Sequence, residues 1–113
     1  MKPTITFEEF NKVDIRVGTI IEVNDFPEAR KPAYQLIIDF GKLGVKKSSA
    51  QITDIYSKEE LLNKQIVAIV NFQKKQISNF FSEYLVLGIE NNQNKIVLLQ
   101  ASKKDLISGE QIS

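Results

Sequence analysis

The 113-residue chain contains no cysteine, no histidine and no tryptophan, and only one methionine. Without cysteine there is no disulfide, no thiolate nucleophile and no thiolate-bound zinc. Without histidine there is no imidazole base and no Ser-His-Asp arrangement. Asp, Glu, Lys, Ser and Tyr remain, but the usual carriers of protons near neutral pH are missing. That inventory points to a binding module rather than an enzyme, with no metal and no cofactor expected. Long apolar runs are lacking too. Nothing approaches the ~18 consecutive apolar residues of a membrane helix, so no membrane insertion is expected, and the best run is Gln65–Val70. The opening Met1–Thr6 has one lysine and no apolar core, so no secretory signal is expected there. With the absence of cysteine, this suits a reducing, cytoplasmic setting.

What is present is ordinary in amount and uneven in placement. A hydrophobic share of 42% and a charged share of 26% are those of a globular domain, and the length fits one domain with one core. The net charge is only +1. Residues 1–29, however, carry three cations against six carboxylates, and residues 30–80 carry nine against four. A basic middle between acidic ends suggests one face aimed at an anion, although solvated lysines kept for solubility would give the same count.

The order of elements reads as many short strands with two short helices. Thr6 with Glu9, and Ser57 with Glu60, have capping-box spacing and each opens a helix. The first helix is about two turns and places Phe7 and Phe10 on one side. Such a helix must bury those rings against its own barrel or a second copy of the chain. Val13–Val23 alternates apolar and polar residues up to Gly18 and then changes phase, which suggests a bulge or bend there. Ala33–Phe40 and Leu43–Ser49, with Gly44 inside the latter, follow a proline-bounded loop over Phe26–Pro32. Gln65–Phe72, Tyr84–Ile89 and Lys95–Gln100 read as further strands. The tail 101–113 has a turn at Ser108-Gly109 and room for a short strand. The pattern fits an all-β fold with short helices: a five-stranded Greek-key barrel of the OB type, with a short N-terminal helix and a C-terminal extension. An SH3-like barrel is the competing fold, and the helix after the third strand favours OB.

Four segments carry polar groups that a barrel core does not need. Glu28–Pro32 holds Arg30 and Lys31 in a loop stiffened by prolines. Lys46-Lys47-Ser48-Ser49-Ala50-Gln51 offers two cations, two hydroxyls and an amide at a strand end, a set suited to phosphate or sugar oxygens. Asn71-Phe72-Gln73-Lys74-Lys75-Gln76 reads as a loop with an aromatic beside two cations, the pairing that stacks on bases and neutralises phosphates. Phe72 could equally end its strand in the core. Phe80-Phe81-Ser82-Glu83 places two adjacent rings where a strand can bury only one. A Ser-Lys nucleophile would have to pair Lys47 with Ser49, since Ser48 faces the other way, and no glycine motif for an oxyanion hole accompanies them.

In order and spacing, Val13–Ile20, Phe26–Tyr34, Ile38–Gly41, Lys47–Thr53, Val70–Phe72 and Ser82–Gly88 resemble the CsaA family. CsaA proteins are stand-alone relatives of the tRNA-binding domain appended to many methionyl-tRNA synthetases. The likeness covers roughly residues 7–112, and Ser48-Ser49-Ala50-Gln51-Ile52-Thr53 is its sharpest run. It implies an OB barrel and a homodimer joined through N- and C-terminal segments, which would give Phe7, Phe10 and the tail a partner. It also implies a chaperone related to export, binding unfolded or precursor polypeptides and the secretion motor SecA, on a barrel that elsewhere binds tRNA. Carried over by position, the ligand face holds Arg30, Lys47, Ser48, Ser49, Gln51, Asn71, Lys75, Ser82 and Glu83, with Phe72 as an apolar member. Lys46, Lys74 and Phe81 join them from the segments above.

The chain departs from the family pattern after Asn71-Phe72. Gln73-Lys74-Lys75-Gln76 stands where a Pro-Pro-Arg-Arg-like run is usual, so one cation is lost and lysine forfeits bidentate phosphate geometry. Asn79 replaces a glycine and is expected to carry the left-handed turn. Phe81 stands where a polar residue is usual. These exchanges favour peptide over nucleic acid as ligand.

Overall fold

A computed structural model describes residues 1–113. The first helix, α1 (Phe7–Phe10), carries the full capping box: Thr6 Oγ1 accepts from Glu9 N–H and the Glu9 carboxylate accepts from Thr6 N–H. It buries none of its residues, and Phe7 and Phe10 remain exposed. β1 (Ile15–Asp25) then runs the length of the barrel and serves two neighbours. Its first half pairs with β4 (Gln65–Ile69) and its second half with β2 (Tyr34–Asp39), both antiparallel. The bulge falls between Ile20 and Glu22, at Ile21, rather than at Gly18. Gly18 is required for a different reason: a Cβ there would lie 2.6 Å from Phe40 Cε1 and 2.7 Å from Ile38 Cγ2, so the absent side chain makes room for the Phe40 ring and the Ile38 methyl group.

Phe40 leads into a 3-10 turn, Gly41–Leu43, and β3 (Val45–Ala50) pairs back on β2. Gly44 lies before this strand and not inside it, with φ 93°, a backbone that glycine adopts without strain. α2 (Lys58–Leu61), again capped by a Ser57–Glu60 box, drops Leu61 into the barrel. After β4 comes a hairpin of β5 (Lys75–Ile77) and β6 (Phe80–Ser82), where the sequence reads as loop. Its two-residue turn takes the left-handed backbone at Ser78, φ 57°, and not at Asn79. The expected fifth strand is divided into β7 (Leu85–Val86), which pairs with β4, and β8 (Gly88–Glu90), which pairs with β9 (Ile96–Leu98).

The main sheet has the order β3-β2-β1-β4-β7, a nearly closed antiparallel barrel of the OB type with two short helices. Ile20, Leu36, Ile38, Phe40, Leu61, Ile66 and Ala68 fill its interior. The tail completes it. Where β1 has left β2, Val17 donates to Glu110 O at 2.9 Å and accepts from Gly109 N–H at 2.7 Å, while Ile112 N–H donates to Ile15 O at 3.1 Å. The Gln65 amide clamps Leu106 on both sides, accepting from its N–H at 3.1 Å and donating to its carbonyl at 2.6 Å. The C-terminal segment thus has a partner within its own chain. No helix is long and apolar enough to cross a membrane.

Candidate ligand-binding face

β3 lies at the end of the sheet order, and its register with β2 decides which of its side chains face outward. Ser48 stands opposite Leu36 and Lys46 opposite Ile38, both partners being core residues. Lys47 and Ser49 stand opposite Ile37 and Gln35, on the outer side. Ser48 is therefore inside the barrel, 1% exposed, with its hydroxyl donating to Tyr84 O at 2.8 Å. It does not reach the outer face where the family likeness would place it. Lys46 is half-buried and its Nζ lies 5.9 Å from the Tyr84 ring centre. Burial first, and then the Glu83 carboxylate, raises the Tyr84 phenol above its ordinary pKa.

The free edge of β3 is closed by side chains instead of a continuous strand. Ser49 N–H donates to Ser82 Oγ at 3.0 Å and Lys47 N–H donates to Glu83 Oε1 at 3.0 Å. Glu83 N–H returns a bond to Lys47 O at 2.8 Å. Ser82 and Glu83 thus sit at the face, but their polar atoms act as substitutes for a neighbouring backbone. The other Glu83 oxygen lies 3.9 Å from Lys74 Nζ.

The β5–β6 hairpin is seated by a second, smaller apolar cluster. Phe80 is buried against Phe26, with ring centres 5.2 Å apart, and Ala33, Ala29 and Ile77 complete the group. Phe26 and Ala29 belong to the proline-bounded loop and Ala33 follows it, so this cluster brings that loop, with Arg30 and Lys31, to the hairpin that carries Lys75 and Phe81. Lys47 joins them, its Nζ 5.5 Å from the Phe80 ring centre. Phe80 is the buried ring of the adjacent pair and Phe81 the exposed one, as strand alternation requires. Phe72 is exposed as well and is not a core residue. Gln51 is exposed just beyond β3. Asn71 is committed elsewhere: its amide accepts from Asp14 N–H at 2.9 Å and donates to Lys12 O at 2.7 Å, pinning the start of β1.

Gln35, Ile37, Phe26 and Ile77 also build the face, though none of them lies among the residues expected there from sequence. The first two alternate with Leu36 and Ile38 and could have been assigned to the outer face from period alone. Phe26 and Ile77 could not, because their packing joins segments about fifty residues apart. The face combines exposed cations and, along β1, the polar pair Glu22 and Asn24, held to each other at 2.7 Å and standing opposite Ile37 and Gln35; the β5–β6 register turns exposed Phe81 to the hairpin side away from Phe80 and Lys75. No cluster of acidic side chains in the chain is arranged to hold a metal ion.

A barrel of this order, with this edge and these loops, is the kind on which tRNA-binding domains are built. The chain belongs to that family: residues 15–111 match the family model described as "Putative tRNA binding domain". Within it, the CsaA likeness holds over nearly the whole chain. The crystal structure of the CsaA chaperone protein from Picrophilus torridus is 52% identical with a TM-score of 0.89, covering 97% of this chain and 100% of that one. That of the chaperone CsaA from Bacillus anthracis str. Ames is 48% identical with a TM-score of 0.91, covering 98% and 100%. The methionine–tRNA ligase of Pyrococcus horikoshii is 37% identical over 95 residues, which are 84% of this chain and 13% of the ligase. The chain therefore spans only a small part of the synthetases that it matches.

Proposed function

We propose that the chain is a non-enzymatic binding protein of the CsaA type that takes unfolded or precursor polypeptides on its outer β2–β3 face. The observation that carries this reading is that the Phe26–Phe80 cluster brings the loop with Arg30 to the hairpin with Lys75, with Lys47 over the Phe80 ring, while Phe81 on the hairpin and Phe72 before it are left exposed. Exposed rings offer apolar contact to an unfolded segment, and the cations favour acidic stretches within it. Ser49 and Gln51 supply further polar contacts, and Lys46 lies behind them beside the Tyr84 ring. Ser48, Ser82 and Glu83 support the same site along β3, whereas Asn71 holds the start of β1. The protein acts as a homodimer through Phe7 and Phe10, in the cytoplasm, with SecA as a further partner. Support for these finer points comes from the CsaA likeness and from the unburied rings of α1.

A second reading, tRNA binding, is favoured by the family match and by the cation excess of residues 30–80. Two barrels in a dimer would present a joint basic surface to folded RNA, gaining avidity without new contacts. Two variants separate these ligands. Phe81→Ser is expected to weaken an unfolded, neutral peptide about tenfold and leave tRNA nearly unchanged. Lys47→Glu with Lys75→Glu is expected to abolish tRNA binding while the melting temperature stays near wild type. Peptide affinity unchanged by Phe81→Ser overturns the apolar seat; tRNA affinity unchanged in the double variant removes the basic face.

A further inference from the structure

The position of the Glu83 carboxylate has a consequence for which ligand the face accepts. One oxygen is fixed by the Lys47 amide at 3.0 Å, and Glu83's own N–H is fixed to Lys47 O at 2.8 Å, so the side chain cannot swing away without opening the β3 edge. Its side chain is only 17% exposed, whereas the Lys74 side chain, 3.9 Å from the second oxygen, is 66% exposed. The fixed member of the pair is therefore the anion and the mobile member is the cation. An incoming phosphate must compete with a carboxylate already in place beside Lys74. A neutral apolar segment, which brings no anion to Lys74, meets no such competitor.

We infer that Glu83 is a specificity-determining residue: a built-in anion that holds polyphosphate ligands back and biases the face towards polypeptide. This rests on the polypeptide reading above. The same carboxylate closes the barrel, so the charge and the hydrogen bond need to be separated. Glu83→Gln keeps an oxygen for the Lys47 amide and removes the charge; Glu83→Ala removes both.

The test compares wild type, Glu83→Gln, Lys74→Ala and Glu83→Gln/Lys74→Ala against total tRNA and a neutral unfolded peptide rich in leucine and glycine. Glu83→Gln is expected to melt near wild type and to bind tRNA about two- to fivefold more tightly at low salt, the scale of one exposed ion pair. Its salt dependence should steepen by up to about one counterion, and affinity for the neutral peptide should change less than that for tRNA. The gain should vanish in the Lys74→Ala background. An unchanged or weaker tRNA affinity in a normally melting Glu83→Gln overturns the inference, as does a gain that survives without Lys74. Absence of tRNA binding in both wild type and Glu83→Gln also overturns it. Failure of wild type to bind the peptide is a separate result and counts against the polypeptide reading alone.

Discussion

Two residues that look alike in sequence, Ser48 and Ser49, have opposite duties. Ser49 faces outward in register with Gln35, while Ser48 spends its hydroxyl on the Tyr84 carbonyl inside the barrel. Removing that donor leaves a buried carbonyl with one partner fewer, at a cost of about 1–3 kcal/mol. Ser48→Ala should therefore lower the melting temperature and leave affinity for tRNA and peptide unchanged; a loss of affinity with an intact melt would return Ser48 to the ligand surface. Gly18 is the second sensitive position. Gly18→Ala drives a methyl into the Phe40 ring and should cost about 1–3 kcal/mol, read in the same melt. A melt equal to wild type would mean that the ring moves freely, against the packing described. Residue types were legible at these sites, but their direction was not until register fixed it.

At the scale of elements, long alternating runs were readable and short polar ones were not. β1, β2 and β4 declare themselves because one side of each must be buried, which imposes a period of two. Both capping boxes were visible for a similarly local reason. The β5–β6 hairpin was invisible because Lys75-Gln76-Ile77 has no periodicity of its own, and its hold on the barrel comes from Phe80 meeting Phe26. The bulge position was misplaced because Gly18 marks a close approach, while the bulge needed no glycine. The tail is the element with the clearest prediction. Deleting residues 106–113 uncovers the backbone of Ile15 and Val17 and leaves the Gln65 amide without Leu106. That truncation should destabilise the barrel by several degrees in thermal unfolding; an unchanged melt would show the tail to be a passenger. α1 behaves differently, since none of its residues is buried within the chain. Phe7→Ala with Phe10→Ala should convert a dimer to monomers in sedimentation, and a variant that still sediments as a dimer would place the interface elsewhere.

The molecule as a whole presents a barrel on which the Phe26–Phe80 cluster joins the proline-bounded loop to the β5–β6 hairpin. The fold was legible through strand order and length, and the family through six ordered segments. The composition of the ligand face was only half legible. Of the residues expected there, Arg30, Lys47, Ser49, Gln51, Phe72, Lys74, Lys75 and Phe81 are accessible, whereas Asn71, Ser82 and Glu83 are engaged in holding backbone. The distinction is one of hydrogen-bond partners across the barrel, and a linear sequence does not contain it. Salt separates the two ligand classes at this scale, because each phosphate contact releases counterions and apolar burial does not. The measurement to make is the affinity of the wild-type protein for the neutral unfolded peptide and for tRNA, each at about 50 mM and about 200 mM salt. Polypeptide binding on an apolar seat requires the peptide affinity to hold within about twofold while that for tRNA falls at least tenfold. Binding of tRNA at low salt, with no binding of the peptide at either salt, would contradict it and leave an RNA-binding module.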